Sequence, residues 1–128
     1  MPDEADQDEV RALAWMLDKS VRFETEDGKA YTRSIGELIQ GYYSDTIRSD
    51  EADTISKNLM RSGIRLEDDT VAISNHHPAL RTLFMDTSWA DKWKDQFARV
   101  PGAAHVAGVR FGASVHRAVR IPRSAFLD

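Results

Sequence analysis

The chain of 128 residues contains no cysteine, only four prolines and no long hydrophobic run. The absence of cysteine excludes a disulfide framework, a thiol nucleophile and a thiolate metal site. No apolar stretch is long enough to span a bilayer. The first residues lack the basic and apolar segments of a secretory signal. We therefore expect a cytoplasmic protein that does not bind a membrane.

Charge is unevenly divided along the chain. Residues 1–86 carry 10 basic and 18 acidic side chains, a balance of −8, whereas residues 87–128 carry 7 and 3, a balance of +4. The net charge of −4 argues against general affinity for nucleic acid. The distribution predicts that an anionic partner contacts the C-terminal third of the chain.

Apolar spacing divides the chain into helices and hairpins. Helical spacing predicts helices over about 7–20, 34–43 and 50–62, a short helix from Pro78, and another after Thr87 or Ser88. Alternation predicts β-hairpins over about 21–32, 64–74 and 108–122. The first helix is expected to bury Val10, Leu13, Ala14, Met16 and Leu17. Length and composition suit one α+β domain over residues 1–128.

The order of these elements resembles a known family. Residues 7–74, read as helix, strand, helix, helix and two-stranded wing, are similar to a winged helix-turn-helix domain. The resemblance rests on "SIGELI" in the second helix, "DTISKNLMRSGI" in the third and "IRLEDDTVAI" in the wing. It implies a DNA-recognition helix over about 50–62. Residues 75–128 would then extend this core by two helices and a C-terminal β-hairpin.

A second resemblance covers residues 62–123. The stretches "SGIRLEDD", "NHHPALRTLF" and "RAVRIP" resemble the tail modules that follow ATPase domains in phage- and plasmid-type replication proteins. This resemblance implies a bacterial or phage setting and a chain that is one domain of a larger parent protein, or descends from one. Together the two resemblances imply a nucleic-acid-binding module in replication, transcription control or a mobile-element process.

One face of the third helix carries residue types that read bases. Four polar residues share the side opposite Ala52, Ile55 and Leu59, namely Thr54, Lys57, Asn58 and Arg61. Asparagine pairs with adenine, and lysine or arginine pairs with guanine. We therefore expect this face to contact DNA. An ordinary solvated helix face carries the same residue types, so that interpretation stays open.

The acidic turn Glu67-Asp68-Asp69 at the tip of the wing opposes DNA binding. Three carboxylates repel a phosphate backbone that carries one charge per about 1.7 Å. The C-terminal hairpin offers basic charge instead, at Arg110, Arg117 and Arg120. The planar guanidinium fork suits phosphate, so we expect these arginines to bind the backbone. A charged edge strand protected from aggregation is the alternative.

Trp89, Trp93 and Phe97 follow each other at intervals of four residues. Such a helical stripe is typical of core packing, but tryptophan is also enriched at protein interfaces. The alternative function is therefore a protein interaction or oligomerisation module that uses Trp89 and Trp93. The sequence does not predict an oligomeric state.

Nothing in the sequence predicts catalysis or a cofactor. The chain has no G-x-S-x-G, P-loop or G-x-G-x-x-G motif, so no catalytic residue is expected. The adjacent histidines His76 and His77 point in different directions and are followed by no further ligand at helical spacing. We expect neither an enzyme nor a metal site.

Overall fold

The computed structural model describes residues 4–25 and 27–127, with side chains from Glu9 onward. The helices are α1 (Glu4–Asp18), α2 (Ile35–Tyr42), α3 (Ser49–Arg61), α4 (Pro78–Phe84) and α5 (Trp93–Ala98). The strands are β1 (Ser20–Glu24), β2 (Ala30–Ser34), β3 (Ile64–Leu66), β4 (Thr70–Ser74), β5 (Ala104–Phe111) and β6 (Ser114–Pro122). This mixture confirms the α+β class. No helix in the described part of the chain has the length and apolar character needed to cross a membrane.

Helices α2 and α3 begin and end where the sequence pattern predicts. The Ser34 hydroxyl caps α2 by accepting a hydrogen bond from the Glu37 N–H at 3.1 Å. Helix α3 ends before Gly63, whose φ of 88° is a left-handed conformation that favours glycine. Ile55 and Leu59 are buried, as predicted from their spacing, and β3 and β4 follow directly.

The buried face of α1 differs from the predicted one. Val10 is 65% exposed, whereas Ala12, Leu13 and Met16 are buried. Ala14 is exposed too. The helix is turned so that the Trp15 ring lies 4.9 Å from the Phe84 ring. Packing of the large Trp15 ring removes more apolar surface from water than burial of the Val10 side chain would. This difference accounts for the orientation of the helix.

The strands form two separate sheets. Strands β1 and β2 pair only with each other in the described structure, and β3-β4-β6-β5 form a four-stranded antiparallel sheet. The hairpin predicted over 64–74 is present as β3 and β4, but it is part of a larger sheet, because β6 pairs with the other edge of β4. Ile73 lies opposite Val119 and Val71 lies opposite Ile121, so the two hairpins bury their apolar residues together.

The β5–β6 hairpin curls over the outer face of this sheet. An irregularity lies between Val106 and Val109, where Gly108 has a φ of 73°. Such a bulge bends a strand and increases its twist. The bend packs Val109 and Phe111 onto Ala72 and Ala118 in a small second core. Met60 at the end of α3 packs against the same cluster.

Candidate nucleic-acid interface

Asn58 of α3 is engaged with strand β1. Its Oδ1 accepts a hydrogen bond from the Glu24 N–H at 3.2 Å, and its Nδ2 donates to the Glu24 carbonyl at 3.1 Å and to the Thr54 carbonyl at 2.7 Å. A side-chain amide has two N–H donors, and both are used here. The β1–β2 hairpin is therefore fixed along this side of the helix.

Only part of the predicted base-reading face of α3 is exposed to solvent. Thr54 and Asn58 are half-buried, and the Thr54 hydroxyl donates to the Asp50 carbonyl at 2.9 Å. Lys57 and Arg61 are exposed and form no ion pair with any described side chain. The structure thus leaves two of the four side chains directed at solvent.

The three C-terminal arginines are divided as well. Arg110 lies opposite Val115 in the hairpin register, and Arg117 follows two residues later on the same face. Both are exposed, and neither forms an ion pair within the described residues. Arg120 lies on the opposite face, and its Nε and Nη2 donate to the two carboxylate oxygens of Glu67 at 2.8 and 3.1 Å. Arg120 is therefore separated from the other two arginines, and its guanidinium group is already paired with a carboxylate.

The tip of the β5–β6 hairpin contacts the end of α3, so the segments that carry the remaining cations are neighbours. The Gly112 N–H at the hairpin tip points at the Met60 sulfur, 2.9 Å away. The Arg65 guanidinium donates to the Arg110 carbonyl at 2.9 Å. Met60 precedes Arg61, so the tip lies beside the last turn of α3. We call Lys57, Arg61, Arg110 and Arg117 the basic surface.

The acidic turn of the wing is held by the body of the protein. Burial raises the pKa of Glu67, but hydrogen bonds from Arg120 and Thr70 outweigh it and hold the pKa below its usual range. The Tyr43 hydroxyl donates to the carbonyls of Glu67 and Thr70, and burial raises the pKa of Tyr43 to about 12. Arg123 donates to the Asp68 carbonyl at 3.1 Å. The negative charge of one of the three wing carboxylates, that of Glu67, is thus paired with the positive charge of Arg120.

The wing turn and the end of α3 lie at opposite ends of strand β3. The strand has three residues, and each residue advances a strand by about 3.3 Å, so the turn begins about 10 Å from the end of α3. That distance is close to the Debye length of about 8–10 Å at moderate salt. Salt therefore weakens the repulsion between the exposed carboxylates of Asp68 and Asp69 and a ligand at the end of α3.

The predicted tryptophan stripe belongs mainly to the core. Trp93 is 2% exposed and stacks on Phe84 with ring centroids 5.0 Å apart. Trp89 is half-buried and lies in a turn before α5, which begins at Trp93 and not before it. The prediction that Trp93 and Phe97 are buried while Lys92 and Lys94 are not is confirmed. Trp93 therefore offers no surface to a partner.

Of the two adjacent histidines, His77 has a structural role as the cap of a helix. The His77 Nδ1 accepts from the Ala79 N–H at 3.3 Å and caps α4. Burial lowers the pKa of His77, and the nearby His116 lowers it further. The described residues contain no group of three or more histidine, aspartate or glutamate side chains placed to hold a metal.

Comparison of the chain with protein-family models, with curated proteins and with solved structures finds no match. The arguments for function therefore rest on the arrangement of its own side chains.

Proposed function

We propose that this protein is a non-enzymatic nucleic-acid-binding module that binds phosphates through the basic surface. The observation that supports the proposal is the contact of the hairpin tip with Met60. This contact joins Lys57 and Arg61 to the segment that carries Arg110 and Arg117. A local group of unpaired cations attracts an anionic ligand even when the net charge is −4.

Each side chain of the surface has a plain role in this proposal. Arginine donates two parallel hydrogen bonds to phosphate oxygens, and lysine acts as a compact point charge. Arg110 and Arg117 are diagonal neighbours across the hairpin, a separation of about 7–8 Å. Adjacent phosphates of one DNA strand lie at a comparable spacing. DNA in replication, transcription control or a mobile-element process is the setting that the sequence resemblances imply.

A second candidate function, protein interaction, is favoured by a cleft on another side of α3. The cleft encloses about 640 Å³ between the β1–β2 hairpin, α2 and the first turns of α3. Phe23 and Tyr31 line it, and Tyr31 is 46% exposed. Exposed aromatic side chains are enriched at protein interfaces, so this cleft suits a protein partner better than the tryptophan helix does.

Fluorescence anisotropy with a labelled DNA duplex at low salt tests the nucleic-acid proposal. The double variant Lys57→Ala, Arg61→Ala should bind at least tenfold more weakly than the wild type. The matched control Lys29→Ala, Lys92→Ala removes two other exposed cations and the same net charge, and it should change affinity by less than threefold. Equal weakening of both variants would place binding elsewhere. No binding at low salt would leave protein interaction as the function.

A further inference from the structure

We infer that the basic surface binds the phosphate backbone of a nucleic-acid duplex without reading the base sequence. The inference rests on the proposed function and adds that binding does not depend on the base sequence. It departs from the expectation, drawn from the residue types on α3, that Thr54 and Asn58 recognise bases. Three separate features of the structure support it.

The first feature is the hydrogen bonding of Asn58. Recognition of adenine by asparagine needs one amide donor and one amide acceptor at the same time. Both Asn58 donors already bind carbonyl oxygens, those of Glu24 and Thr54. The Thr54 hydroxyl hydrogen is likewise used on the Asp50 carbonyl. Neither side chain has a donor to offer to a base edge.

The second feature is the width of the structure around α3. An α-helix with its side chains is about 10–12 Å wide, and the major groove is about 12 Å wide. The groove therefore admits a helix alone. Strand β1 is hydrogen-bonded to one flank of α3 through Asn58, and the β5–β6 tip contacts the other flank at Met60. With a hairpin on each side, α3 does not enter the groove, and its cations meet the phosphates at the groove edge.

The third feature is that the hairpin exposes no phenylalanine, tyrosine or tryptophan ring between Arg110 and Arg117, and the His116 ring there is half-buried against Phe111. Phe111 lies between Arg110 and the hairpin tip, but it is 5% exposed and packs inward. Val115, opposite Arg110, is exposed but aliphatic. Proteins that prefer single strands stack bases on aromatic side chains. A surface that offers charge alone favours the ligand with the higher charge density, which is the duplex.

Anisotropy titrations with three labelled probes test the inference. The probes are an A·T-rich duplex of 20 base pairs, a G·C-rich duplex of the same length and a single strand of 20 nucleotides. We expect dissociation constants for the two duplexes within about threefold of each other and a weaker single-strand complex. A preference above about thirtyfold for one duplex, or tighter single-strand binding, overturns the inference and leaves the proposed function standing. Failure to bind any probe at low salt overturns the proposed function itself.

Two variants test whether the α3 side chains read bases. Asn58→Ala removes the amide, and Thr54→Val removes the hydroxyl with little change in shape. The readout is the ratio of the two duplex affinities, which a change in stability alone does not move. We expect the ratio to stay within twofold of the wild-type value for both variants. A selective loss of affinity for the A·T-rich duplex in either variant contradicts the inference.

Discussion

Arg117 and Arg120 are three residues apart on β6 but have different surroundings. Alternation along the strand places them on opposite faces of the sheet. Arg120 pairs with Ala72 in the register, and so does Arg65, so both guanidinium groups flank β4 on the same face. Glu67 at the end of β3 lies within ion-pair distance of both. The role of each arginine is therefore set by the register of its strand.

The Glu67 ion pair predicts a dependence of stability on pH. The pKa of Glu67 is lowered in the folded protein, so its contribution is present above the usual glutamate pKa of about 4.3. The contribution is lost as the pH falls through the lower folded value. We expect Glu67→Gln to reduce the free energy of unfolding at pH 6, and the difference from wild type to shrink towards pH 3. Urea unfolding at several pH values measures it.

The control for this experiment is Asp91→Asn, an exposed carboxylate with no ion pair among the described residues. Its difference from wild type should stay near zero across the pH range. A Glu67→Gln difference that is constant with pH would show that the carboxylate charge does not stabilise the wing turn.

Trp93 tests the packing of the core. Its ring is 2% exposed and contacts Phe84 and Phe97. Removing a buried large aromatic side chain costs about 3–5 kcal/mol, so Trp93→Ala should lower the free energy of unfolding by that amount. Trp89→Ala, at a half-buried position, should cost clearly less. Equal, small losses for both variants in urea unfolding would place Trp93 at the surface.

The sequence predicts the helices and strands more completely than it predicts which strands pair. Apolar spacing predicts α3 because Ile55 and Leu59 recur on one face, and glycine at position 63 marks its end. Alternation predicts which residues of a strand share a face, but it does not name the neighbouring strand. The pairing of β4 with β6 joins segments far apart in the chain, so local pattern did not predict it. The docking of β1 on Asn58 was missed for the same reason.

The end of α3 gives a prediction at the scale of the element. Gly63 has a φ of 88°, and a Cβ added there would lie 2.7 Å from the Cβ of His77. Gly63→Ala therefore combines left-handed strain with a steric clash, and we expect a loss of at least about 2 kcal/mol in unfolding free energy. Gly28 has a φ of 78° in open space, so Gly28→Ala should cost about 1 kcal/mol.

Urea unfolding of both glycine variants separates the two causes. A loss for Gly63→Ala no larger than that for Gly28→Ala would mean that His77 and α4 move away from the end of α3 without cost. The hydrogen bond from the His77 N–H to the Ser74 hydroxyl and the burial of Leu80 and Phe84 make such a movement unfavourable.

At the scale of the whole molecule, acidic and basic side chains lie in different parts of the structure. The first turn of α3 carries Asp50 and Glu51, whereas its last turns carry Lys57 and Arg61. Carboxylates near the N-terminus of a helix and cations near its C-terminus both interact favourably with the helix dipole. The curled hairpin then brings the segment that carries Arg110 and Arg117 beside the C-terminal end of the helix. Residue types alone indicated these four cations, but only the fold shows that the two segments that carry them are in contact.

The wing carboxylates give a prediction at this scale. Asp68 and Asp69 lie beyond β3 from the end of α3, so we expect the removal of their charge to have little effect on binding. We expect Asp68→Asn with Asp69→Asn to change duplex affinity by less than threefold at about 0.15 M salt, where the Debye length is about 8 Å. A tenfold or larger gain in anisotropy titrations would show that the wing turn approaches the phosphate backbone.

The salt dependence of duplex binding tests most directly whether the helix and the hairpin form one surface. Each phosphate contact contributes a slope of about −0.9 to log K against log salt, so four contacts predict a slope of about −3.6. Lys57→Ala with Arg61→Ala and Arg110→Ala with Arg117→Ala should each reduce it to about −1.8. A slope that changes with only one of these pairs, or with neither, contradicts a binding surface built from both segments.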